Sequence, residues 1–419
     1  MTLSPARVRL ALLSLALGGF GIGLTEFVAM GLLPNLAQDL LPNIWSVSEA
    51  DANAQAGWLV SAYALGVVVG APTIAAVAAK FPRKQLLLAC VALFTLGTVA
   101  SALLPTFQLV LAARFLAALP HGAYFGIAAL VAASLMGPGK RGQGVALVLS
   151  GLTIANVIGV PTITYLGQVA GWRIAYLAVA VVFALTFVAV ALAVPFQPGD
   201  PAATVRRELR IFRRGQVWLA LLIGSIGFGG FFAVYTYISP VVTNITGLGL
   251  GVVPWVLVAA GLGMTIGNFI GGRAADHNVM GTLFVCFGVF MVALTGLALT
   301  AQWPVGLFAF VFLVGAAASA LSPAIQTRLM DVAGDGQSLA AAINHASLNL
   351  GNSLGAALGG VAIAAGLGYL APTWIGLLLS VAGVLLALLA LGLQRRSNRL
   401  ELARKVTLEQ DAVFDSTLA

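Results

Sequence analysis

The segment Leu10–Leu33 holds little besides apolar residues and glycine; Ser14, Thr25 and Glu26 are the exceptions. Runs of similar length recur to the end of the chain. In a bilayer core no water is available to the backbone, so such runs must fold as helices whose hydrogen bonds are internal. At about 20 residues per span, helices are expected near 10–33, 56–79, 85–104, 107–136, 143–168 and 174–194, then near 217–243, 251–273, 281–300, 304–327, 338–364 and 373–393. Only 8% of the residues are charged, against about 25% in soluble proteins. The fold class is therefore an all-α polytopic membrane protein with 12 spans.

The basic residues test that number. Cytoplasmic loops of membrane proteins collect Lys and Arg. Here Arg7 and Arg9, then Lys80, Arg83 and Lys84, then Lys140 and Arg141 fall on alternate loops, hence on one side. Arg206, Arg207, Arg210, Arg213 and Arg214 follow on that side, then Arg273, Arg328, and finally Arg395, Arg396, Arg399, Arg404 and Lys405. Only Arg173 lies opposite, and Arg114 lies inside a span. A wrong number of spans would scatter this pattern. Both termini are expected in the cytoplasm. The start, with Arg7 and Arg9 before an apolar run, imitates a signal peptide, but the run is too long and lacks a small-x-small cleavage site, so retention is expected.

Residues 1–194 and 217–393 form two six-helix halves, joined by a basic connector at 195–216 and followed by a charged tail at 394–419 expected to fray into solvent. Halves of similar length suggest duplication, as in transporters whose binding site lies between repeats. The connector's arginines suit anionic lipid better than nucleic acid. Cys90 and Cys286 both lie within spans, so no disulfide framework, metal or cofactor is expected. No HExxH string occurs and the three histidines are spread over separate helices, so the chain is not expected to be an enzyme.

Of the thirteen acidic residues, only Glu26 falls well inside a span. A charged carboxylate there costs about 2.5–3.5 kcal/mol on insertion scales. It must take a proton or find a cation, and Arg114 is the buried cation. Glu26 lies about 12 Å below the end of its helix at 1.5 Å per residue, and Arg114 sits at similar depth. A lone acid and a lone base at such depth point to proton or ion traffic, with a structural carboxylate and a structural arginine as the competing readings.

Four strings in order, TEFVAMGLLPNLAQDL (25–40), RFLAALPHGAYFG (114–126), GLTIANVIGVP (151–161) and GQVAGWR (167–173), resemble the twelve-helix drug:proton antiporter branch of the major facilitator superfamily, especially its arabinose-efflux-permease-like members. The resemblance implies two pseudo-symmetric six-helix bundles, a bacterial inner membrane, and export of drug- or sugar-like solutes. It matches Arg114 to a fourth-helix arginine associated with proton coupling, and His121 lies two turns along the same face. It matches Gly151, Gly159 and Pro161 to the antiporter motif of the fifth helix, although the usual Gly-Pro pair is here Gly159-Val160-Pro161. Lys80, Arg83 and Lys84 match the basic positions of a cytoplasmic gating motif whose glycine and aspartate are replaced by Ala75 and Ala79. The eighth-span copy keeps Gly272 and Asp276.

Candidate solute contacts are Asn156 at mid-depth of the fifth span, Phe232, Tyr235 and Tyr237 in the seventh, and His345 and Asn349 in the eleventh, where Asn352 continues the stripe. Aromatic faces hold flat or cationic ligands. Each has a competing role: Tyr237 as an interfacial anchor, the asparagines as interhelical hydrogen-bonding groups, and His121 as a packing histidine. The expectation is proton-coupled efflux of small neutral or lipophilic cationic solutes by a monomer in contact with lipid. A proton-independent carrier or importer, and a non-transporting receptor or scaffold, are the alternatives.

Overall fold

The computed structural model describes residues 4–78, 81–136, 140–199, 212–334 and 337–418. Among these residues the regular structure is entirely helical. Eleven segments are long and apolar enough to cross a membrane: α1 Pro5–Gly31, α2 Glu49–Ile74, α3 Arg83–Leu103, α4 Phe107–Met136, α5 Gln143–Ala170, α6 Trp172–Ala193, α7 Gly215–Thr236, α8 Leu250–His277, α9 Val279–Thr300, α10 Pro304–Ala333 and, after one intervening helix, α12 Ala371–Leu400. That intervening helix, α11 Gln337–Ala364, fills the eleventh place.

The helices pack as two equivalent bundles. In the first, α1 lies against α5 and α6, α3 against α4 and α6, and α2 against α4; six helices on, α7 lies against α11 and α12, α9 against α10 and α12, and α8 against α10. The contacts between halves repeat the same relation, α2 with α11 and α8 with α5. Small residues permit these approaches, because packing rather than hydrophobicity drives association in lipid. A Cβ on Gly263, Gly267 or Gly271 of α8 would overlap the backbone of Phe312, Ala316 or Ala320 of α10.

The seventh span, whose glycines permit a local break, is interrupted: a π-turn at Ile223–Gly227 precedes the helix Gly229–Thr236, and a second occupies Val241–Ile245. Two features depart from expectation. The tail does not fray, since its backbone stays helical to Leu418. After Gly392 it contains neither Gly nor Pro and is rich in Leu, Arg, Glu and Ala, all good helix formers. Arg273 and Arg328 belong to helices, not loops. Arg273 lies 3.5 Å over the Phe269 ring, and Arg328 is buried, donating to Gln216 Oε1 at 2.8 Å.

Candidate functional site

Glu26 is 6% exposed, three-quarters of the way along α1. It is not in an ion pair: among the described residues the sole pair is Arg173–Asp39, at 3.1 Å. Arg114 instead ties three neighbours to α4. Its Nε donates to the Leu59 carbonyl of α2 at 3.0 Å, and its Nη1 donates to the Thr25 carbonyl of α1 at 3.0 Å and to the Tyr176 hydroxyl of α6 at 3.1 Å. Its guanidinium also lies 4.8 Å from the Tyr63 ring centroid. The guanidinium thus holds the carbonyl next to Glu26, while its own Nη2 has no partner.

One turn deeper, Tyr63 reaches His121, with the hydroxyl 3.3 Å from Nδ1. His121 faces His345 across the halves, ring centroids 6.1 Å apart, and His345 stacks on Phe125 at 5.4 Å and 5°. The α11 stripe continues with Asn349 and Asn352. Asn352 lies beside Glu26 without hydrogen-bond geometry, so both of its side-chain polar atoms remain unpartnered. Asn349 donates to its own helix at the His345 carbonyl, leaving Oδ1 open. Asn156 Oδ1 and the Tyr235 hydroxyl are also buried without partners. Buried polar groups normally find partners, so these open donors and acceptors, two of them on Asn352 beside the carboxylate, are suited to water or a polar solute.

Phe232 stacks with Phe27 of α1 at 6.3 Å and 11°, and Tyr235 meets the same ring edge-on at 5.6 Å. The structure therefore gathers Glu26, Arg114, His121, Phe232, Tyr235, His345 and Asn349 around the interface between halves. Asn156 sits at the π-turn Ala155–Gly159 of α5, which precedes Pro161. A proline lacks the N–H that would continue the α-helical ladder, and π-turns absorb such interruptions. Gly151 and Gly159 pack on α1 at Ala16, Phe20 and Leu24, and Gly261 of α8 packs on the Asn156 carbonyl.

Other candidates lie elsewhere. Tyr237 is fully buried, donating to the Ala356 carbonyl at 2.7 Å and wedged against Gly57 and Gly360. Its place is the end of the molecule carrying the α1–α2 loop, where it joins the two halves rather than contacting the mid-depth cluster. Arg83 and Lys84 make no bond to the second half among the described residues: the Arg83 amide and Nη1 donate to Gln197 at the start of the connector, and Lys84 Nζ donates to the Ala191 carbonyl of α6 at 2.7 Å. A cation at the C-terminal carbonyls of α6 is the favourable helix-dipole arrangement. Lys80 lies outside the described residues. Gly272 is not a packing glycine, because a Cβ there meets nothing within 4 Å; the packing face of α8 is Gly263, Gly267 and Gly271, about 100° around the helix. Asp276 is exposed and has no ion pair among the described residues.

Some participants escaped sequence reasoning. Tyr63 and Tyr176 carried only the weak signal of lone hydroxyls in apolar spans, and Phe27 carried none beyond its place beside Glu26. Asp39 accepts from Trp172 Nε1 at 3.0 Å and from Arg173 Nη2, while Arg173 Nη1 also binds the Ala102 and Leu104 carbonyls that end α3. This explains the one basic residue on the opposite side. The string Gly351–Asn352–Ser353–Leu354–Gly355 has the GxSxG spacing of a hydrolase elbow, but it lies inside α11 with no strand before it.

The sequence model of the Major Facilitator Superfamily matches residues 15–281 and 238–412. The chain belongs to that superfamily. The inner membrane transport protein YdhP of Escherichia coli (strain K12) is 40% identical over 363 residues, covering 87% of this chain and 91% of that protein. A chloramphenicol resistance protein of Streptomyces lividans is 34% identical over 378 residues, covering 89% and 94%. Among solved structures, a D-xylose-proton symporter superposes with a TM-score of 0.73 at 18% identity, covering 91% of this chain and 97% of that one. The two bundles are thus the major facilitator fold, and this facilitator is a multi-pass membrane transporter of small solutes, not an enzyme.

Proposed function

We propose that this facilitator exports small neutral or lipophilic cationic solutes from a bacterial cell in exchange for protons. In this reading it is a monomer in the inner membrane with both termini in the cytoplasm. Residues 1–194 and 217–393 are the bodies that rock, the connector 195–216 joins them, and 394–419 is a cytoplasmic tail. The observation that carries this reading is Glu26: a buried carboxylate with no ion pair among the described residues, beside polar atoms of Arg114 and Asn352 that have no partner among them. A charge kept there is costly, whereas a carboxylate that alternately binds and releases a proton gives the arrangement a use. Export as the direction is supported by the chloramphenicol resistance relative.

When the α1–α2 loop end opens, a periplasmic proton reaches Glu26. When the other end opens, that proton leaves as solute enters. Arg114 holds α1 in register, and Tyr63 with His121 offers a relay. Asn156, Phe232, Tyr235, His345 and Asn349 contact the solute. Gly151, Gly159 and Pro161 let α5 move against α1, while Arg83 and Lys84 stiffen their bundle. A proton crossing about 100 mV releases about 2.3 kcal/mol, enough for more than a tenfold gradient of a neutral solute at about 1.4 kcal/mol per tenfold.

The test is uphill transport in proteoliposomes with a phenicol, a lipophilic cation, arabinose and a thiogalactoside as probes. Glu26→Gln is expected to abolish accumulation driven by a pH gradient while solute exchange survives. Accumulation at the unsubstituted rate in that variant would sink the proposal and favour a carrier that ignores protons.

A further inference from the structure

Glu26 needs a means of sensing which end of the molecule is open. The groups beside it are Arg114 and Tyr63 of the N-terminal half and Asn352 of α11. Its sequence neighbour Phe27 points elsewhere. Phe27 is 4% exposed, stacked on Phe232 and edge-on to Tyr235, and it is the N-terminal half's member of a cluster otherwise built from Phe228, Phe231, Phe232 and Tyr235 of α7. α7 is not a regular helix at this point: the π-turn Ile223–Gly227 precedes the cluster, and Gly229 and Gly230 pack closely on Gly351 of α11 and Gly376 of α12.

We propose that Phe27 is the positioning residue that couples opening of the loop end to the hydration of Glu26. When α7 swings with its half, the aromatic contact carries α1 along, and the carboxylate one residue away changes its surroundings. Without the ring the loop end can open while α1 stays in place, and Glu26 no longer registers the change. The inference rests on Glu26 as the proton-carrying group. The titratable and charged groups around that carboxylate are Arg114 of α4 and Tyr63 of α2, with Tyr176 of α6 one contact further and, beyond Tyr63, His121 of α4 facing His345 of α11. α5 carries the neutral, buried Asn156 and the exposed Tyr165, and Tyr235 of α7 meets Phe27.

The test needs no substrate. Spin labels at Val47 and Val305, 87% and 82% exposed at the loop end of opposite halves, report the distance between halves in a Cys90→Ser, Cys286→Ser background. The ratio of open to closed populations is measured in lipid nanodiscs at acidic and alkaline pH. In the otherwise unsubstituted protein the ratio is expected to rise at least about tenfold with pH, since charge at Glu26 favours the hydrated arrangement, and Glu26→Gln is expected to be flat. Phe27→Ala is expected to be nearly flat as well, with the response restored in Phe27→Tyr. Phe232→Ala, which removes the same contact from the other side, gives the same reading should Phe27→Ala fail to fold. A Phe27→Ala curve displaced as a whole, with its pH response intact, would mark a merely structural contact and overturn the inference. No response in the unsubstituted protein would overturn the Glu26 reading itself, and this inference with it.

Discussion

Arg114 shows how a single buried residue is defined by its partners rather than its charge. A lone acid and a lone base at equal depth suggested a pair, yet the guanidinium binds two backbone carbonyls and a phenol. Three acceptors from three helices are within reach of a planar fork, and a lysine ammonium cannot match that geometry. Arg114→Lys is expected to destabilise the protein by about 2–4 kcal/mol, since each buried acceptor left open costs about 1–3 kcal/mol, and to cut transport at least about tenfold. Thermal unfolding in detergent checks the first effect and proteoliposome flux the second; an unchanged melting temperature would show that Arg114 is no latch. Glu26 and Arg114 were legible because charge inside an apolar run is conspicuous. Tyr63, Tyr176 and Phe27 were not, because an aromatic residue in an apolar span looks the same whether it faces lipid, core or a carboxylate.

Among the elements, α5 best repays comparison with its sequence. α5 turns through a π-segment ahead of Pro161 and presses Gly151 and Gly159 onto α1. Gly151→Val would drive methyl groups into the Ala16 carbonyl; overpacking of this kind costs about 1–3 kcal/mol, so a lower melting temperature and impaired transport are expected. Gly272→Ala is the contrast, because space is open there: stability and flux should stay within error of the unsubstituted protein, and a clear loss would restore Gly272 to the gate. In α8 the packing glycines Gly263, Gly267 and Gly271 stand four apart in the sequence, and the residue that matches the motif is their neighbour Gly272.

Across the whole molecule, the hydrogen bonds between halves cluster at one end. Among the described residues these are Asn53 Nδ2 to the Tyr369 hydroxyl at 3.1 Å, Ser61 Oγ to the Ser353 carbonyl at 3.2 Å, Gln168 Nε2 to the Leu250 carbonyl at 3.0 Å and Asn244 Nδ2 to Glu49 Oε1 at 3.3 Å. With Tyr237 against Gly57, they close the α1–α2 loop end. Each bond contributes only about 0.5–1.5 kcal/mol, so the closure is reversible. Asn53→Ala and Tyr369→Phe are each expected to raise the open population about two- to tenfold in the spin-label measurement, and the double variant to do no more than either alone; additive effects would show that the two side chains act separately. Burial pushes the Tyr369 phenol above its ordinary range, so this contact stays neutral as pH rises, leaving pH sensing to other groups. The sequence by itself determined the helical class, the span pattern, the duplicated halves and the one acid at depth, because lipid permits few structures to an apolar chain and makes every charge stand out. Which end is closed, whether Glu26 is paired, and which of many apolar aromatics touch across the halves were decided by tertiary structure alone. Those facts depend on the rotation of each helix and the tilt of one bundle on the other, and hydropathy is blind to both.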